Sequence, residues 1–197
     1  IAIMRQAGRI LGSILKKLAQ EVKPGVKTRE LDEISVQEMK KYDVRSPFRG
    51  YHGYPANICV SVDDELVHGI PGERVINKGE IVTLDAGVIY RGFIADAAVT
   101  VGVGEITPEA RHLMDATKGA LEAGIRAARA GARLGDVSAA IQIYAETRDF
   151  GVIREYSGHG VGRELHEEPQ VPNFGVAGRG PVLRRGMTLA LEPMLTA

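Results

Sequence analysis

Two aspartates lie inside an otherwise apolar stretch of the chain, residues 80–103. Asp85 and Asp96 are surrounded by Val, Ile, Thr and aromatic residues, and a Gly separates the two halves, so the stretch predicts a β-hairpin. A two-residue turn at Tyr90-Arg91 would set the aspartates directly opposite each other, with their side-chain roots about 5 Å apart. A turn at Arg91-Gly92 would set them diagonally, with their side-chain roots about 7 Å apart. Two carboxylates this close repel each other unless a proton or a cation lies between them. A metal site is the simplest explanation.

Simpler roles exist for an aspartate in a strand. It can discourage aggregation at the edge of a sheet, or it can cap a turn. One such residue would need no further explanation, but two on one face of an apolar hairpin are harder to explain in this way. The hairpin alone is compatible with a metal site and with these structural roles, so residues elsewhere in the chain are needed to distinguish the two interpretations.

Two further metal-ligand types occur in strand-like runs of the second half. His159 lies between glycines in the run Ser157–Gly162, where glycines allow another backbone or a ligand to come close. The glycine spacing superficially matches a dinucleotide motif, but no suitable helix and acidic strand end follow it, so a nucleotide site is not predicted. Glu192 ends the short apolar run Met187–Glu192, just before Pro193. A carboxylate in this position suits a ligand better than a solvated charge.

Two Asp, one His and one Glu form an oxygen-dominated ligand set with a single nitrogen. Such a set favours Mn, Fe, Co or Zn in a carboxylate-bridged pair over metals that prefer thiolates. Two divalent ions held together can activate water and polarise a carbonyl, which is metal-assisted hydrolysis. His68 and His166 are suited to donate a hydrogen bond to a scissile carbonyl or to a developing oxyanion. His52 and His112 are interpreted as structural or surface residues.

The elements that must position these residues follow the order helix, helix, strands, twice over. The predicted helices span residues 2–22, 28 to about 42, 107 to about 130, and 134 or 136 to about 147. Besides the hairpin, the predicted strands are residues 58–62, 152–162 and 187–192. Thr28 is expected to be a helix N-cap, and Tyr42 and Ile125 are expected to face the core. The two halves are residues 1 to about 104 and about 105–197.

Composition limits the classes of protein to which the chain can belong. Its 197 residues, 44% of them hydrophobic, suit one large domain or two small packed halves. The formal net charge of zero provides no overall basic field that would favour nucleic acid or an anionic membrane. A single Cys excludes an internal disulfide and fits a reducing compartment. No apolar run is as long as a membrane span, and no signal-peptide pattern is visible. Because the chain starts at Ile1 in mid-pattern and stops at Ala197 after a strand-like run, we expect both ends to be cut.

The chain resembles the type I methionine aminopeptidases over nearly all of its length. The segments that carry the resemblance are Met4–Gly8, Val22–Val26, Gly50–Pro55, Cys59–Val62, Val67–Pro71, the Asp85/Asp96 hairpin, Gly158–Gly162, His166–Pro169 and Gly186–Met194. Their order and spacing together are specific. The resemblance implies the α+β pita-bread fold: two pseudo-symmetric helix-helix-strand halves around a curved antiparallel sheet, forming a single catalytic domain over residues 1–197.

The resemblance also implies roles for individual residues. The implied metal ligands, for two divalent ions (Co, Mn, Fe or Zn), are Asp85, Asp96, His159 and Glu192, with Asp96 bridging. His68 and His166 are implied to contact the substrate, and Glu192 to handle the proton of the attacking water as well. The side chain of the substrate methionine is implied to lie in a pocket lined by Tyr51, Tyr54 and Cys59, because a thioether packs well on aromatic and sulfur surfaces. The implied reaction is hydrolysis of the first peptide bond of nascent proteins whose second residue is small.

Three departures from the family pattern keep alternatives open. The family has a fifth ligand, a bridging Glu on a strand beyond Glu192, and a pocket Trp, and neither is found in this chain; Leu165 also stands where bacterial relatives tend to carry Phe. One alternative is a proline-specific aminopeptidase or dipeptidase of the same fold, and another is a metal-free pita-bread protein that serves as a binding module. For the main hypothesis we expect a cytoplasmic monomer that acts on nascent chains, with the ribosome as a candidate partner.

Overall fold

The computed structural model describes all residues from Ile1 to Ala197, and these form two compact units. The first unit contains Ile1–Thr107 together with Gly162–Leu165, and the second contains Pro108–Val161 together with His166–Ala197. None of the helices combines the length and the apolar character that a membrane crossing requires.

In the first unit, two helices pack on a three-stranded antiparallel sheet. Helix α1 spans Ala2–Glu21 and helix α2 spans Thr28–Lys41, while strands β1 (Ile58–Val62), β2 (Ile81–Tyr90) and β3 (Phe93–Gly102) lie in the order β1-β2-β3. The spacing of three and four along α1 places its apolar residues on one face, which is buried against the sheet: Ala7, Ile10, Leu11, Ile14, Leu15 and Leu18. The predicted first helix, strand β1 and hairpin are therefore confirmed.

The hairpin adopts the second of the two registers that the sequence allowed. Tyr90 is paired with Phe93, so the turn is Arg91-Gly92, with φ angles of 50° and 76°. Positive φ at both turn positions is typical of the two-residue turn that matches the twist of a hairpin. Asp85 consequently faces Ala98 and Asp96 faces Gly87, so the two aspartates lie diagonally on one face of the sheet.

The second unit has two helices and two small antiparallel sheets. Helix α3 spans Pro108–Ala127 and helix α4 spans Leu134–Glu146. In one sheet the central strand β5 (Ser157–Gly160) lies between β6 (Glu167–Pro172) and β7 (Leu189–Ala190), and in the other β4 (Gly151–Val152) pairs with β8 (Leu195–Thr196). Fully buried Val137, Ile141 and Val171 belong to the core of this unit.

The expected N-cap of α2 is wrong. Thr28 is the first residue of the helix and Lys27 occupies the cap position, where the Lys27 N–H donates to the Glu30 carboxylate at 2.7 Å. The Thr28 hydroxyl instead accepts a hydrogen bond from the Gly72 N–H at 2.9 Å and donates to the Gly72 carbonyl at 3.2 Å. Thr28 therefore ties the helix to a distant loop, a role that local sequence cannot reveal.

Two apolar residues expected in the core are exposed. Tyr42, just beyond α2, is 40% exposed, and Ile125 on α3 is 56% exposed. Helix α3 instead buries Gly119 and Gly124, because Tyr144 and Ile141 of α4 occupy the space that larger side chains would need: a Cβ on Gly124 would lie 2.9 Å from Ile141 Cγ1. Small residues thus form the inner face of α3, which also ends at Ala127 rather than near residue 130.

The strands of the second unit are shorter than predicted. The predicted strand over residues 152–162 is divided into the end of β4 and β5, and of residues 187–192 only Leu189–Ala190 form a strand. Strands β6 and β8 were not predicted. The ladder is interrupted by a register shift between His159 and Gly160 and by prolines, which have no N–H to donate.

Candidate functional site

The candidate site residues of the first unit share one face of its sheet. Cys59 of β1 is the direct partner of Asp85 on β2, and Asp96 of β3 lies diagonally from Asp85, at a distance of about 7 to 8 Å between side-chain roots in such pairs. Both aspartates are half-buried. Carboxylate side chains in this arrangement can reach cations placed between them.

An uncharged surface adjoins the aspartates. Cys59 is only 4% exposed, and burial raises the pKa of its thiol to about 12, so the thiol stays protonated. Burial and a hydrogen bond with Cys59 also raise the pKa of Tyr54, whose hydroxyl lies 3.1 Å from the Ile58 carbonyl and 3.0 Å from the Gly69 carbonyl. Tyr51 belongs to the same loop, in a single 3₁₀ turn, and is 38% exposed. Tyr54 and Cys59 thus lie together, with Tyr51 on the more exposed side of the loop.

His68 is held in a backbone conformation that side chains rarely adopt. Its φ is 61°, in the left-handed region that costs a non-glycine residue about 1–2 kcal/mol. The next residue fixes this conformation, because the Gly69 carbonyl accepts from the Val60 N–H at 2.9 Å and the Gly69 N–H donates to Ser61 Oγ at 3.0 Å. A Cβ on Gly69 would overlap the Val60 carbonyl. Backbone strain that is imposed by the surroundings is common at functional sites.

In the second unit, His159 and Glu192 face each other. The buried His159 ring has Nδ1 2.8 Å from the Gly160 carbonyl, and because a carbonyl only accepts, Nδ1 carries the proton. In the neutral ring the Nε2 lone pair then points to Glu192 Oε1, 3.1 Å away. Two acceptors at this distance repel each other unless a proton or a cation lies between them.

The His159–Glu192 geometry fits a shared metal ion. Two atoms bound to one ion at roughly 2.0–2.2 Å each are roughly 3 Å apart. Metal-bound histidines usually donate their other ring N–H to a carbonyl or a carboxylate, as His159 does to Gly160. The donor sets of both units, Asp85 with Asp96 and His159 with Glu192, therefore suit divalent cations of the Mn, Fe, Co or Zn type.

His166 lies beside His159 in the second unit. The ring centroids are 4.2 Å apart at an interplanar angle of 56°. The two imidazole rings differ in their surroundings. His166 is exposed to solvent, whereas His159 is buried, with only 6% of its surface exposed, and lies against Glu192. An exposed imidazole in this position can meet a ligand that enters from solvent.

Sequence reasoning missed residues that hold the site residues in place. The Asp32 carboxylate on α2 accepts hydrogen bonds from the Asn57 N–H at 2.8 Å, the Asn57 side chain at 3.0 Å and the Ile58 N–H at 3.1 Å, and so anchors the segment that leads to Cys59. Ser61 holds Gly69, and its place as the polar residue inside the apolar strand β1 was an available signal. Asp32 gave no such signal, because its partners are distant in sequence.

Comparisons with known proteins agree over almost the whole chain. A family model described as metallopeptidase family M24 matches residues 2–197. The methionine aminopeptidase of Clostridium acetobutylicum is 47% identical over 196 residues, which cover 99% of this chain and 78% of that protein.

Solved structures give the same result. The crystal structure of a methionine aminopeptidase from Thermotoga maritima superposes with a TM-score of 0.96 at 45% identity, covering 98% of this chain and 78% of that one. The Xaa-Pro dipeptidase from Bacillus anthracis superposes with a TM-score of 0.81 at 26% identity, covering 98% of this chain and 52% of that one. The similarity in structure and sequence is thus greater to the first enzyme than to the second.

Proposed function

Since this chain belongs to metallopeptidase family M24, we propose that it is a hydrolase that removes the N-terminal methionine from proteins whose second residue is small. The observation that carries this conclusion is the 47% identity to a methionine aminopeptidase over 99% of the chain. The chain has the α+β pita-bread fold of such enzymes. The proline-specific alternative has weaker support, since the Xaa-Pro dipeptidase is 26% identical and this chain covers only 52% of it.

Metal dependence follows from the family, and we assign the ligands to four side chains: Asp85, Asp96, His159 and Glu192. These residues would hold two divalent ions, and Asp96 would contribute to the binding of both. When bound, such ions supply Lewis-acid polarisation of the scissile carbonyl and a water nucleophile of lowered pKa. The support within each unit is the pair of like-charged aspartates on one face of the sheet and the two acceptor atoms of His159 and Glu192 at 3.1 Å.

The remaining site residues act on the substrate and on protons. His68 and His166 donate hydrogen bonds to the peptide carbonyl and to the oxyanion that develops from it. Because hydrogen bonds hold the backbone of Gly69, the Cα–Cβ bond of the neighbouring His68 has a defined position. The His68 side chain therefore has to move less when substrate binds. Glu192 accepts the proton of the attacking water and passes it to the leaving amine.

The methionine side chain of the substrate packs against Tyr51, Tyr54 and Cys59. The Tyr54 hydroxyl is engaged by two backbone carbonyls, so this residue offers its apolar ring to a ligand. The Cys59 thiol is neutral and polarisable because burial raises its pKa to about 12. A flexible thioether suits such an aromatic and sulfur surface.

The biological setting completes the proposal. The two units act as one catalytic domain, and the protein works as a cytoplasmic monomer on nascent chains, with the ribosome as a candidate partner. The single Cys fits a reducing compartment, and the zero net charge offers no general field for nucleic acid or for an anionic membrane.

Matched peptides test the substrate assignment. We expect Met-Gly peptides to be cleaved by the purified chain at least about a hundredfold faster, in kcat/KM, than Xaa-Pro peptides, because the tyrosine and cysteine surface recognises the first side chain. Liquid chromatography of the released amino acid gives both rates. Activity should disappear with EDTA and return with Mn(II) or Co(II). Faster cleavage of the Xaa-Pro peptides would support the proline-specific enzyme, and titration calorimetry without stoichiometric Mn(II) uptake would support a metal-free binding module.

His68 provides a test that separates substrate contact from metal binding. We expect His68→Ala to lower kcat roughly a hundredfold, the usual effect of losing an oxyanion donor, while the metal content stays near normal. His68→Gly should lose the same activity but be more stable than His68→Ala by about 1 kcal/mol, because glycine adopts the left-handed conformation without strain. Steady-state kinetics, elemental analysis and urea unfolding give the three quantities. Loss of metal in either variant would instead make His68 a ligand.

A further inference from the structure

Asn173 is fully buried just beyond the end of β6, and its side chain contacts the backbone of Glu192. Asn173 Nδ2 donates to the Glu192 carbonyl at 2.7 Å. The orientation of the amide is fixed by this contact, because a carbonyl oxygen only accepts and the amide nitrogen is the only donor of the side chain.

The strand order explains why this hydrogen bond matters for Glu192. Strands β6 and β7 flank β5 and both run antiparallel to it, so their last residues lie towards the first residue of β5, Ser157. Glu192 lies two residues beyond the end of β7 and is followed by a proline. The amide of Asn173 reaches this segment from the other side of β5. It therefore holds the Glu192 backbone where the strand ladder has ended.

The same side chain carries an unfavourable feature. Asn173 Oδ1 is buried and has no hydrogen-bond partner. An unpartnered buried polar atom destabilises a fold, and such atoms are uncommon in native proteins. An apolar residue of similar shape would remove this penalty and would also remove the hydrogen bond to the Glu192 carbonyl, so that hydrogen bond is what the asparagine provides at this position.

We propose that Asn173 is a positioning residue for Glu192: its amide fixes the backbone from which the Glu192 carboxylate meets His159 Nε2, and so it sets the affinity of this ligand pair for a divalent cation. This inference rests on the proposed metal-dependent function. Outer partners of metal ligands typically change metal affinity or activity by roughly 10–100-fold when they are removed.

The test compares Asn173→Leu with Gln142→Leu. Leucine at position 173 keeps the number and branching of the side-chain heavy atoms, removes the hydrogen bond to Glu192 and also removes the unpartnered oxygen. The matched control, Gln142→Leu, removes an amide that accepts from the Gly175 N–H at 3.0 Å, a contact to the same loop that does not involve Glu192. For each purified, metal-free chain, titration calorimetry gives the dissociation constant for Mn(II), and urea unfolding gives the stability.

We expect Asn173→Leu to weaken Mn(II) binding roughly 10–100-fold while its unfolding midpoint without metal stays unchanged or rises. Gln142→Leu should bind Mn(II) as the unsubstituted chain does. Unchanged Mn(II) affinity in Asn173→Leu would overturn the inference, and so would a fall in affinity that accompanies a lower unfolding midpoint, since Asn173 would then be structural. If the unsubstituted chain takes up no Mn(II), the proposed metal site itself fails, and the role of Asn173 fails with it.

Discussion

Replacing His159 by alanine is expected to reduce Mn(II) affinity and peptide hydrolysis by at least about a hundredfold each, beyond the range of roughly 10–100-fold for residues that only support a ligand. The substitution removes the nitrogen donor that faces Glu192 Oε1 at 3.1 Å, and it leaves a carboxylate without its partner. Because His159 is 6% exposed, some loss of stability will accompany the change. Metal affinity should therefore be measured by titration calorimetry on the folded fraction, with circular dichroism to confirm the fold.

His112→Ala is the matched control for this experiment. His112 belongs to the same unit, lies exposed on α3 and makes an edge-to-face contact with Phe150 at 4.9 Å between ring centroids. Its removal should leave Mn(II) affinity and turnover within about twofold of the unsubstituted chain, as expected for a surface position away from special features. Stoichiometric Mn(II) binding by His159→Ala with unchanged affinity would show that this imidazole is not a ligand.

Gly158→Ala is expected to destabilise the protein by about 3 kcal/mol, at the upper end of the usual cost of overpacking. A Cβ at this position would overlap the carbonyl of Ala190 on β7 and lie 3.3 Å from the backbone nitrogen of Glu192. Strand β7 has only two residues, so the extra methyl group is expected to push this strand and Glu192 away from β5. Equilibrium urea unfolding measures the loss, and Mn(II) titration reports whether Glu192 has moved.

Gly12→Ala is the control for Gly158→Ala, because it introduces the same methyl group at a position with space for it. Gly12 lies on the exposed side of α1, and a Cβ there would meet nothing within 4 Å. Alanine should stabilise the helix by roughly 0.5–1 kcal/mol, because it loses less backbone freedom on folding. If Gly158→Ala were as stable as the unsubstituted chain, the close approach of β5 and β7 would not exist.

The hairpin shows how far local sequence determines structure here. Ten-residue runs rich in Val, Ile and Thr made the two strands predictable, since their pattern is long and is interrupted by a glycine. The sequence did not decide the register of the hairpin, because a turn at Tyr90-Arg91 and a turn at Arg91-Gly92 are both plausible. Only the complete set of pairings selects the Arg91-Gly92 turn, and this choice sets the distance between Asp85 and Asp96.

The second unit was harder to predict, for a physical reason. Its strands have two to six residues, too few to establish a period-two pattern, and strand β8 exists only because residues 151–152 lie beside it. On α3 the interface with α4 is formed by small residues, so an apolar pattern selected Ile125 although this side chain is exposed. Where large side chains come from the neighbouring helix, the pattern of one helix does not identify its buried face.

The candidate site divides in the same way. The residues proposed as metal donors could be selected from the sequence because carboxylates and a histidine are unusual inside apolar or glycine-rich strands. Some residues that hold them could not be predicted: Asp32 accepts from the Asn57 and Ile58 N–H groups, and Asn173 donates to the Glu192 carbonyl, through contacts that exist only once the chain has folded. The chemical type of a possible ligand residue can be read from the sequence. The contacts that hold such a residue in place cannot, because their partners are distant in sequence.

We have proposed that Asp85, Asp96, His159 and Glu192 are ligands of divalent cations. Crystals of the Mn(II)-loaded chain, measured at the Mn absorption edge, test it most directly through an anomalous difference map. We expect anomalous peaks with oxygen or nitrogen atoms of these four side chains at roughly 2.0–2.2 Å, typical of first-row transition metals. Peaks elsewhere, or a map in which the four side chains point to separate places, would contradict it.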